Sequence, residues 1–472
     1  MSTGSKDFAR RSREALANTD QRRTITDAAA LFSSLRERAF GQWSEAETRL
    51  ANAASARLRA LTHLPDLLVQ AEAEVTRNGG TVHWAGSADE ARSIILSIAR
   101  EKGVKSVVKG KSMVTEEIGL NPALEAEGME VFETDLGEYI VQLAHEPPSH
   151  IIAPALHKSR RDVAELFART LGETGEEPEE LTAIARKRLR RAFLEADMGI
   201  TGVNFVIAES GVVGLLENEG NIRASTTCPR VHVALMGLEK VVATAEDAVD
   251  VLQVLPRSCT GQAMPAYFSL LGGPRRPGES DGPEEFHLVI LDNGRSRIHS
   301  DPLLMGALAC VRCGGCVNSC PVYQRIGGHA YGATYSGPIG ILLSSLLDGG
   351  EAHAELPGAC TTCGACAEVC PVGVNHPRLI IELRRRMREE GEQGGCGAIS
   401  TLMGKAFAFA AKHPALFTMG ASSLRAVDPE LKKLSRLSPL RGAAATRSLP
   451  SLREPFAKRW PSLRKSLDED KS

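Results

Sequence analysis

Eight of the chain's eleven cysteines lie between residues 310 and 370, and they form two copies of one pattern. The copies are Cys310-x2-Cys313-x2-Cys316-x3-Cys320-Pro321 and Cys360-x2-Cys363-x2-Cys366-x3-Cys370-Pro371. In ferredoxins with this spacing, three thiolates hold one [4Fe–4S] cluster and the fourth cysteine ligates the other cluster. The sequence therefore predicts two [4Fe–4S] clusters with crossed ligands. One set is Cys310, Cys313, Cys316 and Cys370; the other is Cys360, Cys363, Cys366 and Cys320.

Structural zinc is the competing interpretation, because zinc also takes four thiolates. Zinc sites usually come as separated Cys-x2-Cys pairs, and the doubled run ending in Cys-Pro does not follow that pattern. The 39 residues between the motifs exceed the space in a compact bacterial ferredoxin. This insert favours the α-helical ferredoxin type found in electron-transfer subunits of multi-subunit dehydrogenases. Within it, His329 is a candidate for tuning a cluster or gating a proton, with a structural or solvent-facing role as the alternative.

The composition excludes several classes of partner. A net charge of -2 and an aromatic content of 4% give no reason to expect a nucleic-acid partner. Neither G-x-G-x-x-G after a strand nor a Walker A motif occurs, so nucleotide binding is not supported. The N-terminus lacks the apolar core of a secretory signal, and the longest apolar run, 339–347, is too short to span a bilayer. We expect a cytoplasmic protein, or one held at the inner membrane face through partners.

The elements that must position the cysteines fall into four predicted regions. Residues 1–79 are predicted to be a helical N-terminal region that packs on the next domain. Residues 80–300 are predicted to form an α/β domain built on a largely parallel sheet. Residues 301–392 form the two-cluster module, closed by a basic helix over 379–390. Residues 393–472 hold one helix over 399–412 and a mobile tail from 448. In the α/β domain, a capping box at Ser87 opens a helix, and strands are expected in the following segments: 81–85, 106–108, 131–133, 151–153, 203–208, 212–216, 231–236, 267–271 and 286–291.

Some polar residues of the α/β domain are candidates for a substrate site. Lys109, Lys111 and Ser112 follow a strand and precede a helix, where amides and a lysine hold anions; a solvated basic turn is the alternative. His150 and His157 flank the predicted strand over 151–153, and His232 lies within another. Each is a candidate base for a hydroxy acid, although single histidines are more often structural. Glu209 lies at a strand end, where turn formation also explains it.

Several segments resemble the lactate utilization protein B family. They are Lys109–Glu117, Glu133–Ile140, Pro148–Ile152, Ala196–Gly202, Asn218–Asn221 and Gly282–Leu288, together with the doubled cysteine motif. The resemblance covers roughly residues 25–395. It implies that the α/β region is a LUD domain, with a fold similar to that of ribose-5-phosphate isomerases, glucosamine-6-phosphate deaminases and CoA transferases. The sequence departs from the family at Thr227-Cys228-Pro229, where Cys228 is expected to be a small buried hydrophobic residue.

The resemblance also implies a function: an iron–sulfur electron-transfer subunit of a system that oxidises L-lactate to pyruvate. Its implied partners are a cysteine-rich iron–sulfur subunit and a smaller protein with the same α/β domain. Two alternatives remain open from the residues. The chain could serve another 2-hydroxy acid, such as glycolate, because one methyl group changes selectivity by only about 1–3 kcal/mol. Alternatively, the α/β domain could be a docking or regulatory module in a chain whose cysteine-bearing module transfers electrons.

Overall fold

The computed structural model describes residues 7–347, 353–389, 398–413, 415–417, 419–420, 423, 459–462 and 464. Met1–Gln393 form one compact unit, and Gly394–Ser472 form a second. The predicted divisions at residues 79 and 300 therefore lie inside the first unit, and they remain predictions. Among the helices in the described residues, none is both long and apolar enough to cross a membrane.

The first unit opens with four helices, as the composition of the N-terminal region predicts. They are α1 (Phe8–Ala17), α2 (Thr19–Gly41), α3 (Ala46–Thr62) and α4 (Leu64–Arg77). Helix α3 buries Ala53, Ala56 and Ala60, and side chains this small let a neighbouring helix approach closely.

Ten strands follow, and they build two sheets. The strands are β1 (Thr81–Ala85), β2 (Ser106–Lys109), β3 (Glu130–Glu133), β4 (Met198–Gly202), β5 (Phe205–Ile207), β6 (Val212–Glu217), β7 (Val231–Gly237), β8 (Val241–Val242), β9 (Tyr267–Leu271) and β10 (Glu285–Leu291). The larger sheet has the order β1-β10-β7-β4-β2-β3, and all its pairings are parallel. The smaller sheet has the order β8-β5-β6-β9 and is mixed. The predicted parallel α/β architecture is confirmed.

Nine helices connect and cover these strands. They are α5 (Ala88–Glu101), α6 (Met113–Glu117), α7 (Leu120–Ala126), α8 (Leu136–Leu143), α9 (Arg160–Leu171), α10 (Pro178–Glu195), α11 (Asn221–Thr227), α12 (Ala245–Thr260) and α13 (Arg295–His299). The predicted cap of α5 is present, since Ser87 Oγ accepts from the amide of Glu90. The Glu90 carboxylate accepts from Gly86, one residue before the position that a full capping box uses.

The strand predicted over Ile151–Ala153 is wrong, because this segment is a loop. Its amides are satisfied locally and leave none for a strand ladder. The amides of Ile152 and Ala153 both donate to His150 Nδ1 at 3.1 Å. The amide of Ser149 donates to the carbonyl of Pro154 at 3.0 Å. A side chain that accepts from its own backbone competes with sheet pairing, and periodicity alone does not reveal it.

The cysteine-bearing segment is helical, as the length of its insert predicts. Its helices are α14 (Gly315–Asn318), α15 (Tyr323–Ile326), α16 (Gly337–Leu347), α17 (Ala365–Glu368) and α18 (His376–Glu389). The apolar helix α16 is buried along most of its length. Helices α3 and α4 pack on the α/β region, as expected for the N-terminal region, but α1 packs on α15, and α2 contacts α14 and α15 as well as α12. The N-terminal helices therefore also support the cysteine segment.

In the second unit the predicted helix is present as α19 (Ala398–Ala411). Most of the predicted mobile tail, 448–472, lies outside the described residues, as does Cys396.

Candidate metal centre and adjoining cavity

The two cysteine motifs adopt the same backbone conformation. Arg312 and Thr362 occupy equivalent positions, two residues after the first cysteine, and have φ values of 62° and 56°. Such values are uncommon for residues with a side chain. They turn the amide of Arg312 toward Cys310 Sγ at 3.4 Å and the amide of Thr362 toward Cys360 Sγ at 3.3 Å. Each loop thus wraps its amides around the sulfur atoms, as expected for a negatively charged cluster.

The structure brings the last cysteine of the second motif to the first motif. Burial raises the pKa of the Cys313 thiol, and the neighbouring Cys370 and Cys310 sulfurs raise it further. The sulfurs that neighbour Cys316 are those of Cys310, Cys313 and Cys370. Burial and Cys310 raise the pKa of Cys370 to about 11. Cys370 therefore lies with the first three cysteines and not with those of its own motif.

The last cysteine of the first motif makes the reciprocal exchange. Burial raises the pKa of Cys366 to about 12, and the closest contributing sulfurs belong to Cys360, Cys320 and Cys363. Cys320 in turn is influenced by Cys360 and Cys363. In the first set Cys310, Cys313 and Cys316 are buried and Cys370 is half-buried, whereas the second set ranges from the buried Cys320 and Cys366 to the exposed Cys363.

The donor set fits iron–sulfur clusters better than single zinc ions. Among the described residues, no three cysteine sulfurs all lie within 4.8 Å of one another. Four sulfurs at about 2.3 Å from a tetrahedral zinc would be only about 3.8 Å apart. A [4Fe–4S] cubane separates its thiolates more widely, because each one binds a different iron. Bound metal would also offset the high thiol pKa values that burial produces.

Two arginines distant in sequence reach these loops, and sequence reasoning missed both. Arg36 on α2 donates through Nη2 to the carbonyl of Val369 at 3.0 Å. Burial lowers the pKa of Arg36, while the sulfurs of Cys313 and Cys370 favour its charged form. Arg57 on α3 is buried and donates to the carbonyls of Ala309 and Val241. Neither arginine lies in a motif, so no local signal identifies them.

A cavity of about 390 Å³ separates the α/β region from the first cysteine loop. Val311 and Arg312, which lie between Cys310 and Cys313, form part of its wall. Lys111 and Ser112 line the cavity together with Lys240, which sequence reasoning missed. Burial and Arg312 lower the pKa of Lys240 to about 7, although Glu239 opposes this effect. A bound anion would raise it again.

One wall of the cavity is a buried ion-pair network. Glu239 accepts from Arg295 Nε at 2.7 Å and from Arg312 Nη2 at 3.0 Å. Arg295 also pairs with Glu117 at 2.7 Å, and Tyr335 donates to the same carboxylate. Burial opposes ionisation of Glu239, but Arg295 and Arg312 outweigh it and lower its pKa to about 2. The network ties the sheet to the first cysteine loop through Arg312.

Two of the four predicted substrate residues lie away from this cavity. Lys109 is fully buried, and its ammonium group pairs with Glu133 at 2.7 Å and Glu116 at 3.0 Å. Burial disfavours the charge on Lys109, yet these carboxylates outweigh it and raise the pKa. Glu209 is exposed, and its carboxylate accepts from the amide of Ala245 at the start of α12. Only Lys111 and Ser112 face the cavity.

None of the three histidine candidates lines the cavity. His150 accepts two amide hydrogens at Nδ1, so its Nε2 donates to Asn318 Oδ1 at 3.0 Å and neither ring nitrogen is free. Burial lowers the pKa values of His150 and His232 to about 3. His232 Nε2 contacts Thr201 Oγ1 at 2.9 Å.

His157 lies between Ser149 Oγ at 2.8 Å and Glu146 Oε2 at 2.6 Å. Burial and His329 lower its pKa to about 4. These contacts give all three histidine candidates structural partners.

The prediction for Cys228 is wrong, because this side chain is exposed. Cys228 follows the last residue of α11, and its amide donates to the carbonyl of Ala224. The Cys228 side chain points to the surface at the end of the helix. Residue type alone did not predict this, because apolar residues also occur at protein surfaces.

Two family models match this chain, and several known proteins are similar to it. Residues 68–291 match the LUD domain, and residues 306–374 match the 4Fe-4S dicluster domain. The chain is 41% identical to lactate utilization protein B of Bacillus licheniformis, over 100% of both chains. It is 43% identical to lactate utilization protein B of Shouchella clausii, over 88% of this chain and 86% of that one. An uncharacterized electron transport protein of Escherichia coli (strain K12) is 42% identical over 89% and 88% of the two chains.

The iron–sulfur character predicted from the cysteines thus agrees with both the domain match and the geometry of the loops. Full-length identity above 40% also extends across the α/β region and the N-terminal helices. On these grounds, the chain belongs to the lactate utilization protein B family.

Proposed function

We propose that this protein is the electron-transfer subunit of a system that oxidises L-lactate to pyruvate, and that it carries two [4Fe–4S] clusters. The observation that carries the proposal is the exchange of Cys320 and Cys370 between the two motifs. Crossed ligation places two clusters close together, as in two-cluster ferredoxins. Oxidation of a hydroxy acid to an oxo acid releases two electrons, and two one-electron carriers can accept them.

The chain's own residues would define the cluster environments. Cys310, Cys313, Cys316 and Cys370 would hold the first cluster, and Cys360, Cys363, Cys366 and Cys320 the second. When bound, the clusters supply one-electron acceptance and release. Amides such as that of Val374, which donates to Cys370 Sγ at 3.2 Å, stabilise the charge on the thiolates. Burial of Cys310, Cys313 and Cys316 limits the access of water to the first set.

Exposure supports a direction for the electrons. Three of the four cysteines of the first set are buried beside the cavity, whereas Cys363, Thr361 and Thr362 of the second loop are exposed. The first cluster would therefore be the internal entry point, and the second would face a partner. We propose as partners a cysteine-rich iron–sulfur subunit and a smaller protein that has the same α/β domain. The names of the relatives support a role in lactate use.

Anaerobic purification of the full chain tests this proposal. We expect about eight irons and eight sulfides per chain, with EPR signals of two interacting clusters. Cys370→Ser should disturb the same EPR species as Cys313→Ser, whereas Cys320→Ser should disturb the same species as Cys363→Ser. Cys228→Ser, at an exposed cysteine outside both sets, is the matched control. L-lactate should reduce the clusters only when the partner subunits are present.

The alternative outcomes are distinct. About two zinc ions with no sulfide would refute the cluster assignment. Pairing of Cys370→Ser with Cys363→Ser would refute crossed ligation but not electron transfer. Reduction by glycolate at least as fast as by L-lactate would assign a different 2-hydroxy acid.

A further inference from the structure

Two lysines face the cavity without a protein partner. Lys111 Nζ is buried and has no hydrogen-bond partner. Within the part of the chain that the structure describes, Lys240 likewise takes part in no hydrogen bond or ion pair. Lys240 is half-buried and lines the same cavity. A buried ammonium group without a partner is costly, so such groups mark positions where an anion binds.

The carboxylates around the cavity are already engaged. Glu239 pairs with Arg295 and Arg312. Glu217 accepts the amides of Ile222 and Arg223 at 2.6 and 2.8 Å.

At the other end of the cavity, Glu219 accepts the amide of Leu136 at 3.2 Å, and Asp135 caps α8. Lys111 lies within electrostatic range of Glu219. Among the described cations that line the cavity, Lys111 and Lys240 are the two without a hydrogen bond or ion pair.

Both lysines lie in the neighbourhood of the first cysteine set. Lys240 belongs to the cationic group around Cys310 and Arg312. Lys111 lies near Cys259, which neighbours Cys313. Apolar side chains, including Ile152, Leu215 and Met236, complete the wall. A small molecule with one carboxylate and a short apolar body satisfies both features.

We propose that the cavity binds the carboxylate of a small 2-hydroxy or 2-oxo acid between Lys111 and Lys240, against the loop that holds the first cluster. The choice of acid rests on the function proposed above, whereas the anion site rests on the two lysines. The α/β region is then a ligand-binding domain, and its ligand lies beside the electron entry point. An anion at this position also disfavours added negative charge on the first cluster, so binding and reduction oppose each other.

Calorimetry on the anaerobically purified full chain tests the site directly. We expect pyruvate and L-lactate to bind with a Kd of about 1 mM or tighter. Lys240→Met and Lys111→Met should each weaken binding about ten- to one-hundred-fold, because each removes one charge-assisted contact. Lys240→Arg keeps the charge and should retain most of the affinity. Lys187→Met, on the exposed face of α10, is the matched control.

A second readout separates ligand binding from folding. Pyruvate should shift the EPR spectrum or lower the reduction potential of one cluster in the unaltered chain, and Lys240→Met should abolish this shift while iron content stays unchanged. Absence of binding to the cluster-loaded chain would overturn the inference, as would binding that both lysine variants retain. Inorganic phosphate binding as tightly as pyruvate would overturn the assignment to hydroxy and oxo acids. If the unaltered chain held no clusters but still bound pyruvate through the two lysines, the electron-transfer proposal would be refuted and the anion site would stand.

Discussion

Glu239 offers the sharpest test of how the α/β region is joined to the first cysteine loop. The change Glu239→Gln keeps the shape of the side chain and removes its charge. Arg295 retains Glu117 as a partner after this change. Arg312 retains only the carbonyl of Cys310 and the face of Tyr335, at 5.3 Å from the ring centroid. The variant therefore leaves a buried guanidinium without a full counter-charge.

Two independent routes give the same magnitude. The pKa of Glu239 falls from 4.5 to about 2, and at about 1.36 kcal/mol per pKa unit this corresponds to about 3 kcal/mol of stability. Removing one partner of a buried ion pair typically costs about 3–5 kcal/mol. Unfolding a compact unit of residues 1–393 has an entropy of about 0.8 kcal/mol/K, so the loss corresponds to about 4 °C in Tm.

The assay is anaerobic thermal unfolding followed by circular dichroism, with iron content measured in parallel. The stability from Glu239 is present above pH 4.5 and is lost as the pH falls from 4.5 to about 2, so the difference in Tm should be constant between pH 6 and 8. Adding Arg312→Met should recover part of the loss, because no unpaired charge remains. Glu45→Gln, in an exposed pair with Arg49, should leave Tm almost unchanged. A Tm equal to that of the unaltered chain would refute the role of the network.

Three further predictions follow from buried or capping groups. Lys109→Met should lower the free energy of unfolding by about 3–5 kcal/mol, because it leaves Glu133 and Glu116 without their shared cation; urea titration measures this, and Lys109→Met/Glu133→Gln should recover part of it. His232 has its pKa lowered to about 3, so its contribution to stability is present above pH 6.5 and is lost as the pH falls from about 6.5 to 3; His232→Gln should show a shallower fall in Tm over that range and unchanged pyruvate affinity. Glu209→Ala should cost about 1 kcal/mol, because it removes the acceptor for the Ala245 amide in the first turn of α12 while the Thr244 cap remains; calorimetry should show unchanged pyruvate binding, whereas weakened binding would place Glu209 in the ligand site.

Local sequence determines much of this fold. The doubled cysteine spacing predicts two equivalent loops, and Arg312 and Thr362 indeed share the same left-handed conformation. Apolar runs predict five of the six strands of the parallel sheet but miss β4, and the cap at Ser87 predicts the start of α5. These features depend on residues within a few positions of each other. Spacing and hydrophobic periodicity are therefore enough to specify them.

The failures arise where a contact between distant or competing groups decides the outcome. The loop at 151–153 has the apolar residues of a strand, but the His150 ring takes its amide hydrogens and locks the loop. Lys109 ends β2 and Lys111 lies two residues later, and the sequence gives no reason to assign them different roles. Only the packed structure pairs Lys109 with Glu133 and leaves Lys111 facing a cavity.

The sequence by itself determined that this chain has eight cysteines in two equivalent loops and an α/β region before them, because short-range patterns specify both. Only the tertiary structure decided that Lys240 lies near the first loop, that Arg57 contacts the first loop and Arg36 the second, and that Glu239 links the first loop to the sheet. These groups are separated by tens to hundreds of residues. Their burial and pairing follow from how the helices and sheets pack, and no local pattern records that packing.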